Sequence, residues 1–460
     1  MSRPEDCQPI GADEVAGLFA PLLPGAGEPV ALAVSGGCDS TALMALFADW
    51  LGGEGADAGR HVVLTVDHRL RPESTAEAGA VAARAAALGF AHATLVWEGE
   101  KPRSGIQAAA RAARYRLMLG YLAAHRITTL ITAHTQDDQA ETLLMRLARG
   151  SGLDGLAGVA PALDVVAPGG EARVRLLRPL LGVPRLRLKA TLDARGLGWS
   201  EDPTNISLAF ERPRLRAARA ALDALGLTDA MLASSVRRLR RARAALEAIA
   251  DAVGREETGI VRADRCGFFV IDRERLGRLP EELIVRLIGR CIAAAGGSGE
   301  PVPLAKLEAV VAGLVGLGHA GTGSWTLARA HISAGTGAIR IEREPGRRPL
   351  PTVTLAAGER ACWDGRFAVA AGHELESSLH VRALGVAGLR ELARLGHPVK
   401  ATSALRLVPA FWQGKELVAV PTLDFWANAG FAALIAADFL GLRYNPLQPA
   451  IVCWEAFGGS

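Results

Sequence analysis

Six consecutive residues near the start of the chain, Ser35-Gly36-Gly37-Cys38-Asp39-Ser40, have the make-up of a phosphate-binding turn. The glycines let the backbone turn tightly and bring N–H groups close to a ligand. A helix that follows such a turn offers unpaired N–H groups and the positive end of its dipole to an anion. Ser35 and Ser40 add hydroxyl donors. The spacing is neither a Walker loop, which needs a Lys after the glycines, nor a dinucleotide GxGxxG. Asp39 would repel bare phosphate, so a bridging Mg²⁺ is expected between them. The plainer alternative is a strand-to-helix turn with Gly and Ser as caps. The whole hexapeptide in this setting favours the phosphate site.

Other residues could share that chemistry. Asp137 and Asp138 open a helix, where Asp is a good cap; two acids there also suit a Mg²⁺ site or a general base. Asp67 ends a strand and could cap a loop or contact a ligand. Gln107, Arg111 and Arg114 share one helix face by their spacing. Arg212 and Arg216 suit phosphate or RNA contacts, or equally a basic surface. Arg237, Arg238, Arg240, Arg241 and Arg243 crowd within two turns. Such a run is usually a solvated face; with an RNA partner it becomes a backbone contact. Trp363 to Phe367 reads most simply as a β-turn between core aromatics.

The elements that must hold these residues alternate. Short apolar runs at 30–34, 61–66, 93–97, 128–133 and 174–177 read as buried strands. Helical spacing follows at 40–50, 73–88, 106–125, 139–148 and 185–195. Repeated βα units of this length predict an α/β fold: a parallel sheet with helices on both faces. Ligands then bind at the carboxyl ends of the strands, where residues 35–40, Asp67 and residues 134–138 fall. After about Arg216 the pattern changes. Residues 215–253 are helical and basic, followed by a strand at 268–271, helices at 281–295 and 303–315, and a hairpin at 324–341. A Pro- and Arg-containing linker at 344–351 leads to strands at 353–355 and 367–371 and then a mixed tail. The expected domains are 1–216, nucleotide-binding; 217–345, mainly helical and basic; and 346–460, small and α+β.

The bulk composition agrees with this outline. A chain of 460 residues suggests two or three domains. Half the residues are hydrophobic and 22% are charged, which excludes a disordered chain. The net charge of +4 alone says little about a nucleic-acid partner. The six cysteines contain no CxxC pair, so their spacing suggests neither a disulfide framework nor a zinc site. The N-terminus lacks the basic and apolar regions of a signal peptide, and no apolar stretch is long enough to span a bilayer. A soluble, cytoplasmic protein is expected, with no membrane partner.

The segment Ala33-Val34-Ser35-Gly36-Gly37-Cys38-Asp39-Ser40-Thr41 resembles the pyrophosphate-loop signature of the N-type ATP pyrophosphatases. Six further segments narrow the resemblance. Val66-Asp67-His68-Arg69-Leu70-Arg71 is similar to VDHxLR. Gln107 through Arg111, Arg114 and Tyr115 is similar to an NxQAxARxxRY helix. Thr132 to Thr142 is similar to an AHHxDDQAET segment. Arg149 to Leu156 and Arg178 to Leu181 follow in order. Glu201-Asp202-Pro203-Thr204-Asn205, with Phe210, Arg212 and Arg216, is similar to EDPSN…RNxxR. Together they resemble the tRNA(Ile)-lysidine synthetases from about Pro29 to Arg216. Two positions depart from the pattern. The family's usual pair of histidines is His134 and Thr135 here, and the His more often retained aligns with Thr135. The catalytic role of that His is therefore absent or is carried by His134. The family's Asn after the first Arg of RNxxR is Pro213.

The resemblance implies ATP and Mg²⁺, a CAU-anticodon isoleucine tRNA and free lysine. It implies ligation of lysine to C2 of the wobble cytidine through an adenylated intermediate. Residues 35–40 and Asp67 would bind ATP, and Asp39 and Asp138 the metal. Asp39, Arg114, His134 and Asp137 would serve catalysis, and Arg212, Arg216, Arg237 and Arg241 the RNA. A homodimer stays open. One rival is a tRNA thiolase of the same superfamily, for which Cys38 lacks a paired cysteine. A small-molecule synthetase would need an ammonia source, and no glutaminase nucleophile motif is present. A non-catalytic nucleotide or RNA-binding protein is the third; intact Asp39, Asp137 and Arg114 speak against it.

Overall fold

The computed structural model describes residues 7–441 and 452–453, other than 24, 103, 167–172, 202–210, 298–301, 319 and 348. The chain divides into two compact units. One holds the described residues up to Ala244 with 452–453, and the other begins at Ala245.

The first unit carries strands β1 (Ala31–Ala33), β2 (Val62–Asp67), β3 (Ala91–Val96), β4 (Thr129–Ile131), β5 (Ala162–Val166) and β6 (Arg173–Leu177). Its helices are α1 (Ala12–Phe19), α2 (Cys38–Gly53), α3 (Ser74–Ala87), α4 (Ile106–His125), α5 (Gln136–Ala148), α6 (Leu153–Leu156), α7 (Arg185–Ala194), α8 (Glu211–Ala217) and α9 (Arg219–Ala224). A long helix, α10 (Asp229–Val253), contains the division between units. The sheet order is β5-β6-β4-β1-β2-β3, with the two-residue strand Val452–Cys453 beside β5. β6, β4, β1, β2 and β3 run parallel, whereas β5 is antiparallel to β6.

Alternation along the strands explains the two helical layers. Leu32, Val63, Ile131 and Leu177 are buried with Phe19 of α1, Leu43 and Phe47 of α2, Val81 of α3, and Leu188 and Leu192 of α7. Their neighbours Ala31, Val62, Leu130 and Leu176 point the other way, into Tyr115, Met118 and Leu122 of α4. Successive strand side chains face opposite sides, so one apolar run feeds both layers. The chain leaves β1 toward β2 on one side and later places β4 on the other. That reversal opens a crevice at the carboxyl ends of β1 and β4.

The second unit begins with β7 (Val261–Asp264), β8 (Phe268–Asp272), α11 (Arg273–Leu276), α12 (Glu281–Gly296) and α13 (Leu304–Gly316). Strands β9 (Gly323–Leu327), β10 (Ala330–Ala334) and β11 (Ala338–Arg343) complete an antiparallel sheet ordered β7-β8-β11-β10-β9. α12 is buried from Leu283 to Gly296, and packs with α13 on this sheet. It buries two arginines, Arg286 and Arg290, on Glu247 of α10; Arg286 also meets Glu282 at 2.8 Å and Arg290 meets Asp251 at 2.8 Å.

Beyond them lie a five-stranded sheet that includes Leu379–Ala383, Pro409–Gln413 and Glu416–Val420, and a three-stranded one. In the latter, Arg360–Trp363 and Phe367–Ala371 form a hairpin with Asp364 and Gly365 at φ 51° and 65°. The segment Trp363 to Phe367 is thus the expected turn.

Candidate active site

The loop after β1 enters α2 two residues earlier than its apolar spacing suggests, so Cys38, Asp39 and Ser40 form the helix's first turn. Gly37 is the N-cap and contributes no side-chain cap, which leaves the first-turn N–H groups to the loop's concave side. Gly36 has φ +85°, and a Cβ there would also press on Val81 at 3.1 Å. Its carbonyl accepts the Ser200 N–H at 2.8 Å, so the turn is tied to the segment before residue 201. Ser40 is buried and knots the loop. Its Oγ accepts the Ser35 N–H at 3.1 Å and donates to the Gly37 carbonyl at 3.1 Å. Ser35 is exposed and is the hydroxyl better placed to meet a ligand.

Cys38 is half-buried. Burial, and then the neighbouring Asp39, push its thiol up to about 11. A protonated thiol is a poor nucleophile and a poor sulfur carrier.

Three carboxylates gather at the crevice. Asp39 reaches it from β1's end, and Asp137 and Asp138 from β4's. Burial raises the Asp39 carboxyl above its usual range; Arg185 pulls it down, and the charges of Asp138 and Asp137 push it up again. Arg185, first residue of α7, donates from Nε to Asp39 Oδ1 at 2.9 Å and Oδ2 at 3.0 Å. Its backbone N–H donates to Asp137 Oδ2 at 2.9 Å. Asp138 also caps its own helix. Its Oδ2 accepts the Thr135 N–H at 2.9 Å, while Thr135 Oγ1 accepts the Asp138 N–H at 3.4 Å. This reciprocal cap starts α5. Burial raises Asp138, but His134, Thr135, Arg212 and Arg185 together bring it below its ordinary value.

Thr135 is fully buried in that cap. His134 is the imidazole on hand. Its Nδ1 lies 3.0 Å from Thr132 Oγ1, and burial, with Arg178 nearby, holds it neutral.

Asp67 is saturated by its own loop. Its Oδ1 accepts the Arg69 N–H at 2.9 Å and Ser74 Oγ at 2.7 Å, and its Oδ2 accepts Thr75 Oγ1 at 2.8 Å. Of the two readings left open, loop capping is the one these bonds support. Next to it, His68 stacks edge-on against Trp97 and lies 3.4 Å from Arg114 Nη2. Burial, then Arg114, lower His68 to about 4. Arg114 itself is exposed.

The arginines sort by partner. Arg216 donates from Nε to the buried Glu141 at 2.6 Å; Arg212 is exposed, 3.6 Å from Asp138 and 3.8 Å from Glu141. Arg240 donates to the carbonyls of Val159 and Ala157, and Arg243 pairs with Asp154 at 3.2 Å. Those two hold the 154–159 segment, while Arg237, Arg238 and Arg241 stay exposed. Asp202 to Asn205 and Phe210 lie outside the described residues.

Two residues escape a reading of the sequence alone. Glu141 is the buried counter-charge of Arg216, visible only as part of a motif. Arg185 opens the helix after β6, and only the sheet order, which sets β6 beside β4, brings it to these acids. Among the described residues, no three His, Cys, Asp or Glu side chains are gathered to hold a metal alone.

A parallel sheet with a glycine-rich turn after β1 and acids at the strand reversal defines a PP-loop ATP-binding protein, and residues 13–220 match the PP-loop domain family. Curated relatives extend the match. A tRNA(Ile)-lysidine synthase from a Bradyrhizobium species is 43% identical over 75% of this chain and 97% of its own. Those of Ruegeria pomeroyi and Mesorhizobium japonicum are 37% and 36% identical, over 88% and 93% of this chain and 91% and 92% of theirs. Among solved structures, the U34-tRNA thiolase NcsA from Methanococcus maripaludis is a remote likeness, 15% identical with TM-score 0.40 over 50% of this chain and 77% of its own. The chain belongs to the tRNA(Ile)-lysidine synthase family.

Proposed function

We infer that this chain is an ATP-using ligase that joins free lysine to C2 of the wobble cytidine in a CAU-anticodon isoleucine tRNA. The observation that carries the reading is 43% identity to a lysidine synthase over 75% of this chain and 97% of that relative. The meeting of Asp39, Asp137 and the open turn at one crevice fits it. Cytidine O2 attacks the α-phosphate of ATP and pyrophosphate leaves. The amine of lysine then attacks C2, and O2 leaves with AMP. A carbonyl oxygen leaves poorly until it carries the adenylyl group. The amine, with an ordinary pKa near 10.4, must first lose a proton. Asp137 is the base we assign, oriented by the Arg185 N–H.

The residues present suit a Mg²⁺ that takes the rest of its ligands from phosphate and water. Asp39 and the Oδ1 of Asp138 would hold it, and it would neutralise charge on the departing pyrophosphate. Ser35 and the first-turn N–H groups of α2 cradle the phosphates. Arg114 steadies charge on the adenylyl group, and the neutral His134 offers one hydrogen bond at the crevice. Arg237 and Arg241, one turn apart and exposed, contact the tRNA backbone, with Arg212 and Arg216 nearer the reaction. The protein acts in the cytoplasm; among its described residues no helix is long and apolar enough to cross a membrane.

The test is incorporation of labelled lysine into unmodified isoleucine tRNA with ATP and Mg²⁺, beside a methionine tRNA control. Label in the first tRNA only is expected. AMP release without label would overturn the lysine reading. In a binding titration with the same tRNA, Arg237→Ala with Arg241→Ala weakens affinity and flattens its salt slope by about 2, roughly one for each phosphate no longer neutralised. An unchanged slope removes both from the RNA surface.

A further inference from the structure

Arg185 makes a set of hydrogen bonds whose combination is informative. Its guanidinium occupies both oxygens of Asp39, from Nε at 2.9 and 3.0 Å and also from Nη2 to Oδ2. Its backbone N–H holds Asp137. One residue, entering on α7 after β6, therefore ties together the acids that end β1 and β4. It reaches Asp39 across 146 positions of sequence.

This bidentate pair is not a sealed core contact. The Arg185 side chain is 36% exposed and that of Asp39 14%. The guanidinium also lies at the mouth of the turn 35–40, because Asp39 is itself in that turn. Asp138 cannot substitute freely for Asp39, since its Oδ2 is committed to Thr135 and its Oδ1 faces Arg212. A divalent cation that binds Asp39 must therefore take an oxygen on which Arg185 already donates. A guanidinium left in place would repel that cation across a few ångströms. Once freed, the same planar fork matches phosphate oxygens as well as it matches a carboxylate.

We propose that Arg185 is an internal counter-ion that occupies the cation position on Asp39 before nucleotide binds and transfers to the triphosphate when metal and ATP enter together. Arg185 is then a positioning residue with two stations. With no nucleotide it blocks metal binding and keeps Asp39 and Asp137 from repelling one another. With nucleotide it grips the group that will leave as pyrophosphate. Metal uptake becomes conditional on ATP, which supplies both ligands for the metal and a new partner for the arginine. The inference rests on the ATP-binding reading of the site, though not on lysine being the second substrate.

The experiment titrates Mn²⁺ into the full chain without nucleotide and follows loss of the free-ion electron paramagnetic resonance signal. Wild type should bind weakly, and Arg185→Gln at least ten-fold more tightly. Mn²⁺ with a non-hydrolysable ATP analogue should show the reverse, with Arg185→Gln at least ten-fold weaker than wild type. Arg185→Lys keeps the charge without the fork; it should fall between the two in both titrations and stands in if the Gln variant does not fold. If neither variant binds Mn²⁺ alone more tightly than wild type, the counter-ion role is overturned, while analogue binding by wild type would leave the ATP reading intact. If wild type binds no analogue, the ATP reading itself falls.

Discussion

Asp39 with Arg185 in the first unit, and Glu247 with Arg286 and Arg290 in the second, use the same two kinds of side chain to opposite ends. In the second unit the partners are 6%, 3% and 3% exposed and are packed between α10 and α12. In the first they are 14% and 36% exposed at the ends of strands. An ion group sealed from water is held by the full cost of leaving any member unpaired. A pair with one face in water can trade its partner, because solvent covers the loss. Exposure, more than geometry, therefore separates an ion group fit to hold the fold from one that can exchange partners.

The largest effect should come from that sealed group. Glu247→Gln takes the shared carboxylate from two buried arginines, which keep only the exposed Glu282 and Asp251, and denaturant unfolding of the second unit should lose about 3 kcal/mol, the low end for breaking a buried pair. A loss below about 1 kcal/mol would mean that water reaches the cluster and that the contrast is false. Asp39→Asn should invert the pattern. AMP formation falls by roughly 10²–10³, as when a charge-stabilising group is lost, while unfolding shifts by no more than about 1 kcal/mol. Retained AMP formation would take Asp39 out of the chemistry.

The smallest effect concerns His68, which burial keeps neutral down to about 4. Between pH 6.5 and about 4 the unfolded chain binds a proton there that the folded chain does not. Stability therefore declines as pH drops through that window. His68→Gln should flatten this part of a stability-against-pH curve, and an unaltered slope would show that the imidazole titrates freely.

These contrasts also mark what sequence alone can carry. The parallel strands were legible because each is a short apolar run that two helical layers must cover. β5, residues Ala162–Val166, was not, since an antiparallel strand interrupted by Asp164 has neither a clean run nor a helix to announce it. The turn 35–40 and the acids 137–138 stood out by residue type. Arg185 did not, because its meaning lies in a carboxylate that only the sheet order brings near. Likewise the run Arg237–Arg243 looked uniform, and only packing reveals that Arg240 and Arg243 are spent on the 154–159 segment. In the second unit, the strand Pro409–Gln413 begins with a helix breaker, and although it forms a hairpin with Glu416–Val420, its other partner, Leu379–Ala383, lies beyond intervening helices, so local pattern gave only a mixed tail.

Cys38 carries a consequence for life under oxidative stress. With its thiol near 11, roughly one molecule in ten thousand presents a thiolate at neutral pH. Peroxides and electrophiles attack the thiolate, so they find almost nothing to modify in this loop. A thiol kept protonated by its burial and by Asp39 is thereby slow to be oxidised.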